Sequence, residues 1–201
     1  TEHLQDYTHV EFYWAYADYK DGMNFVQELY RKIAKEILGT LKFKSHGFDI
    51  DLSKKWELYD YENLIKNKTG INIYKADKKD IQKKLDQLNM DYDKKIDKWK
   101  LVDILWKYCR KSLAGPGFLV NQPAEVSPLA KRSEKDSRKV EQFQVIIAGT
   151  EIGNGYSELN DPYDQEKRFL EQKKLKEAGD VEAHEFDEGF IEALESIVDI
   201  I

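Results

Sequence analysis

Two short stretches place chemically capable side chains at spacings that one backbone element could present. In residues 10–19, VEFYWAYADY, Glu11 and Tyr13 stand two apart. In residues 150–161, TEIGNGYSELND, Glu151, Asn154, Tyr156 and Glu158 fall close together. Extended backbone sends alternate side chains to one side. Glu11 and Tyr13 then share a face with Ala15 and Ala17, and Asn154, Tyr156 and Glu158 share another. Gly153 and Gly155 between them permit close approach by a ligand or a neighbouring strand. Separated carboxylates beside phenols, facing a cavity, suit a cationic ligand through charge-assisted hydrogen bonds and ring faces. The same pattern also describes solvated carboxylates and glycines at a β-bulge. The spacing alone does not choose between them.

The elements that must hold these groups follow from periodicity. Residues 10–19 read as a strand, with Val10, Phe12, Trp14 and Tyr16 on its core side. Residues 18–38 carry Met23, Val26, Leu29, Ile33 and Ile37 at helical spacing, with Gly39 as the stop. Residues 42–52 read as a strand or extended loop, and residues 56–71 contain a short helix ended by Gly70. Residues 77–90 and 100–113 are charged helices with one apolar stripe each, most simply scaffold. Pro116, Pro123 and Pro128 mark residues 115–128 as loop and strand edge. Residues 143–148, FQVIIA, are a buried strand, and residues 163–178 and 187–201 are helices. Strands and helices do not alternate regularly, which predicts an α+β fold. Trp56, Trp99 and Trp106 are expected in the core. His9 is expected in packing or at the surface, His46 and His184 at the surface, and Lys131, Arg132 and Arg138 on a solvated face.

Composition narrows the function. Charged residues make up 35% and the formal net charge is -6, which disfavours nucleic-acid binding by bulk charge. A local basic patch stays possible. Cys109 is the only cysteine, so neither an intrachain disulfide nor a multi-cysteine metal site can form. No apolar run approaches a membrane span. A cytoplasmic location is the default expectation.

Four segments carry a resemblance to the class II lysyl-tRNA synthetases. YTHVEFYWAYADY, residues 7–19, resembles the second half of motif 2. FLVNQPAEVSPLAK, residues 118–131, resembles the family's P-x-E-x-SPLA loop. TEIGNGYSELND with the following PYDQEKRF resembles its most characteristic stretch, which separates lysine enzymes from aspartate and asparagine relatives. AGDVEAHEFDEGFIEALE also fits. The resemblance covers nearly the whole chain and is weakest in the largely helical middle, residues 53–113.

What the resemblance implies is a class II catalytic domain, an antiparallel sheet flanked by helices, here residues 1–201 and incomplete at both ends. It implies ATP-dependent lysine activation through lysyl-adenylate and transfer to tRNA-Lys, with Mg²⁺, and a homodimer for the full-length enzyme. Glu11 matches the carboxylate for the α-ammonium of lysine. Tyr13 and Glu158 match the groups on its ε-ammonium, and Asn154 and Tyr156 the pocket walls. His3 and Tyr7 match residues near ATP, and Glu151 a magnesium-binding carboxylate. Gln144 stands where the family usually has a second magnesium-binding glutamate, and a neutral amide is a weaker ligand. The arginines of motifs 2 and 3 lie outside the sequence, so the 201-residue piece is expected to be inactive alone. A non-catalytic lysine-binding paralogue, or a ligase that lysylates a protein, are the alternatives.

Overall fold

The computed structural model describes residues 6–177, 183 and 185–198. In chain order the elements are α1 (Tyr19–Ile33), β1 (Lys42–Ser45), β2 (Phe48–Asp51), β3 (Glu57–Asp60), α2 (Tyr61–Thr69), α3 (Lys78–Gln87), α4 (Lys98–Arg110), β4 (Gly117–Val120), β5 (Gln142–Ile147), β6 (Thr150–Tyr156), α5 (Pro162–Glu177) and α6 (Glu188–Val198). The α+β expectation holds. The sheet is mixed rather than purely antiparallel, because β3 runs parallel to β4 in the order β3-β4-β5-β6. β1 and β2 form a separate antiparallel hairpin.

An aspartate starts each of the first four helices. Asp18, Asp60, Asp77 and Asp97 all accept backbone N–H groups of the first turn that lack helical partners. Asp18 and Asp77 are reciprocated by Asp21 and Asp80 in capping boxes. α1 continues into a wider π turn over Ala34–Leu38 and stops at Gly39, whose φ of 69° needs no Cβ.

Alternation in the strands divides the core in two. Phe118, Val120, Phe143, Val145 and Ile147 meet α1 through Tyr19, Met23, Val26 and Tyr30. Leu119 and Ile146 point the other way, onto α2, α3 and α4 through Ile65, Ile81, Leu85, Leu101 and Leu105. The sheet is thus a wall between two helical layers. Trp56 and Trp106 are buried and Trp99 packs against the second cluster, as expected. Of the α1 stripe, Met23 and Val26 pack on the sheet, whereas Ile33 and Ile37 stay exposed.

Residues 10–17 correct a sequence expectation. They form no strand: the chain is irregular to Trp14 and turns at Ala15 and Tyr16. The supposed core side is open, with Val10, Phe12, Trp14 and Tyr16 all exposed. No neighbouring strand among the described residues takes up their backbone groups, so nothing imposes β geometry. Phe12 and Trp14 rest edge-on against Phe25 of α1 instead.

Gly155 is where α1-side packing is tightest. A Cβ there would lie 2.6 Å from Cζ of Phe143, a ring only 2% exposed. Gly155→Ala is expected to destabilise the protein by about 1–3 kcal/mol through overpacking. Phe143→Leu in the same chain should recover part of that loss, and urea denaturation of both variants checks this.

Candidate functional site

The site is built on the second face of the sheet, beyond the part that α2, α3 and α4 cover. Register puts Gln142 opposite Tyr156, Gln144 opposite Asn154 and Ile146 opposite Glu151. Paired residues share a face, so Glu151, Asn154 and Tyr156 lie on one side. Strict alternation would send Glu151 and Asn154, three apart, to opposite sides. A bulge reconciles them: Val145 pairs with Gly153 and Ile146 with Glu151, leaving Ile152 unpaired. The hydroxyl of Tyr30 donates to the Ile152 carbonyl at 2.8 Å. An α1 side chain thereby satisfies a group that the ladder gives up.

Past the end of β6, Glu158 bridges to Ala130. Lys131 N–H donates to Ser157 O at 2.8 Å and Leu159 N–H to Leu129 O at 3.1 Å. The loop at residues 127–131 therefore fixes the backbone on which Glu158 stands. Residues 6–17 supply the opposite side, anchored where Tyr19 N–H donates to the buried Ser157 hydroxyl at 3.1 Å.

These pieces bring Glu11, Tyr13, Tyr156 and Glu158 together. The Tyr13 hydroxyl donates to Glu11 Oε1 at 3.1 Å. That bond and the Glu11 charge raise the Tyr13 pKa, with Glu158 adding to the effect. Burial raises the Tyr156 phenol, and the charges of Glu158 and Glu11 push it the same way. Asn154 is exposed on the same sheet face. Tyr13 thus stands with Glu11 rather than with Glu158. Two carboxylates and two phenols gathered beside this sheet face form a negatively biased site, which attracts ammonium groups and repels anions.

Other expected residues are placed differently. Tyr7 is 70% exposed, its ring edge-on to His9 at 6.3 Å. His3 and His184 lie outside the described residues. Glu151 lies 3.6 Å from Arg110 Nη1, an ion pair that sequence reading missed. Gln144 Oε1 is buried without a hydrogen-bond partner, as is the oxygen of Gln142 beside Tyr156. For Mg²⁺ this is a poor donor set: one carboxylate already paired to a guanidinium, and one amide. Among the described residues no group of three or more His, Cys, Asp or Glu could hold a metal ion. Arg132 does not form a solvated basic face. It grips Asp164 through Nε at 2.9 Å and Nη2 at 3.3 Å.

Arg168 is the other residue that sequence reading missed. Its side chain, 3% exposed, donates from Nη1 to the carbonyls of Ser127 at 3.1 Å and Ala130 at 2.8 Å, and from Nη2 to Asp164 at 2.7 Å. The available signal was a carboxylate and an arginine at i and i+4 in a helix with no clean apolar stripe. Burial alone would raise the Asp164 carboxyl, but hydrogen bonds from Arg168 and Arg132 outweigh it and hold its pKa below the usual range.

Arg168→Met leaves the loop carbonyls without a donor and is expected to cost about 3 kcal/mol of stability, measured by chemical denaturation. A second test uses pH. Burial lifts the Glu158 pKa above its ordinary value. A raised carboxylate favours folding below the unfolded pKa, about 4.3, and that contribution is lost as pH rises through the folded value. Glu158→Gln should therefore gain stability relative to the parent as pH rises through this window, read from melting temperatures at pH 4 and pH 7.

Residues 1–198 match the family model described as tRNA synthetases class II (D, K and N). Over 194 residues, 96% of this chain, it is 41% identical to the lysine–tRNA ligase of Thermosipho africanus and 40% identical to that of Thermotoga maritima. The lysine–tRNA ligase of Aquifex aeolicus is 39% identical over 196 residues. The chain spans about 38% of the length of the first two relatives and 33% of the third. With the open acidic face of its sheet and this match along nearly its whole length, the chain belongs to the class II tRNA synthetase family of the D, K and N type.

Proposed function

We propose that this chain is part of the catalytic domain of a lysine–tRNA ligase, residues 1–201 belonging to one domain, and that the acidic cluster binds lysine. The supporting observation is the placement of Glu11 and Glu158 around Tyr156, close enough for both charges to act on one phenol. A diammonium ligand needs two separated anions, and here they come from chain segments far apart in sequence. Glu11 takes the α-ammonium and Glu158 the ε-ammonium. Tyr13, released from Glu11 by the incoming ammonium, turns its hydroxyl to the ligand. Asn154 and Tyr156 wall the pocket, and Tyr156 offers a ring face to the cation.

The reaction is activation of the lysine carboxylate by ATP, followed by transfer to tRNA-Lys. These side chains position the amino acid and contribute no nucleophile, because orientation and charge placement carry such a step. Mg²⁺, typical of the family, supplies charge neutralisation at the nucleotide phosphates when bound; no step is assigned to Glu151 through it. Tyr7 and His3 are proposed near the adenine. A homodimer and a cytoplasmic location go with this reading. Among the described residues no helix is long and apolar enough to cross a membrane.

The test is calorimetric lysine binding together with lysine-dependent ATP–pyrophosphate exchange, both in a chain extended at both ends to the length of its relatives. Loss of one charge-assisted hydrogen bond is worth roughly 1.5–3 kcal/mol, so Glu158→Gln should weaken lysine binding by about ten- to a hundredfold. Norleucine, which lacks the ε-ammonium, should be nearly unaffected. Equal losses for both ligands would remove Glu158 from that role.

A further inference from the structure

The end of the sheet face away from Glu158 carries a different electrostatic arrangement. Glu151 sits opposite Ile146, two same-face pairs from Tyr156, where the C-terminal turn of α4 closes over the sheet. Arg110 reaches it from α4. Its Nε donates to Gly149 O at 3.1 Å, and its Nη1 stands 3.6 Å from Glu151 Oε2. The Arg110 side chain is only 15% exposed, so the guanidinium is fixed from both sides. One turn earlier Lys107 pairs with Asp103 at 2.7 Å. Burial raises the Glu151 pKa; the Arg110 charge opposes this, Asp103 adds to the rise and Lys107 lowers it. Arg110, Lys107, Glu151 and Asp103 therefore sum to zero with no added ion.

The neighbouring position on this face is Gln144, opposite Asn154. Its amide oxygen is buried and accepts no hydrogen bond. A divalent ion seated between Gln144 and Glu151 would meet one carboxylate, one neutral oxygen and a guanidinium that does not lose its proton. Hard divalent cations seek several oxygen ligands, with carboxylates supplying the charge. Here the single carboxylate is already neutralised.

We infer that Arg110 is the resident cation of this position: its guanidinium neutralises Glu151 in place of a protein-held divalent metal ion and ties α4 to β6. A nucleotide's metal, on this arrangement, is held by the phosphates and not by Glu151. The inference is independent of the lysine reading, because its test needs neither amino acid nor nucleotide.

The experiment is Mn²⁺ titration of the protein alone, with free ion followed by electron paramagnetic resonance. The parent and Glu151→Gln should bind Mn²⁺ indistinguishably, since Glu151 is not a ligand. Gln144→Glu restores a second carboxylate but leaves Arg110 in place. Gln144→Glu with Arg110→Gln frees both carboxylates and should bind Mn²⁺ at least tenfold more tightly than Gln144→Glu alone. Parent binding at least tenfold tighter than that of Glu151→Gln would overturn the inference. So would equal affinity of the Gln144→Glu chains with and without Arg110. Should the double variant fail to fold, the comparison of the parent with Glu151→Gln decides alone.

Discussion

One unpaired residue in β6 sets the character of the site. Because Ile152 is skipped in the pairing, every side chain before it changes sides relative to those after it. Without that skip, Asn154 and Tyr156 would keep their face while Glu151 pointed towards α1, a carboxylate among Val145, Ile147 and Tyr30. A charge buried there without a partner would be costly. With it, Glu151 reaches Arg110, and the α1 side keeps no charged group of β6. Gly153 and Gly155 suit the same constraint: α1 lies so close that Phe143 fills the space a side chain would need.

The sheet also separates two jobs. Its α1 side is mostly apolar packing, with Thr150 beside Ile147 and the Tyr30 hydroxyl as polar groups, and its other side grades from core into site. Leu119 and Ile146 lie under the helical layer, and Gln144, Gln142 and Tyr156 emerge from beneath it. That gradient places polar groups against a rigid floor, where they lose little further freedom on meeting a ligand. Buried amide oxygens on Gln142 and Gln144 without partners show that this floor is more polar than packing alone requires.

Much of this was legible in the sequence, and the failures have identifiable causes. Local signals served well: Gly39 and Gly70 as stops, and the run FQVIIA as a buried strand. Glu11, Tyr13, Tyr156 and Glu158 were legible as a set only through the family resemblance, because their spacing fits solvated carboxylates equally well. Residues 10–17 misled because an aromatic alternating pattern fits a strand, yet a strand needs a neighbour, and pairing is not a local property. β3 was missed for the reverse reason: ELYD is short and ordinary, and its parallel pairing with β4 becomes visible only in three dimensions. Arg110 and Arg168 were illegible as site components. Each acts through partners about 40 residues away, and nothing local distinguishes them from the many solvent-facing cations of this charged chain.

The buried guanidinium of Arg168 has a kinetic consequence. It links α5 to the loop carbonyls of Ser127 and Ala130, and that same loop carries the backbone bonds to Ser157 and Leu159. None of these segments can open without exposing the others' unsatisfied groups. Helix, loop and the Glu158 backbone thus form one unit of local unfolding. Amide protons of Lys131 and Leu159 are bound to exchange with solvent together, at a rate set by the release of α5 rather than by motion of the loop they sit in.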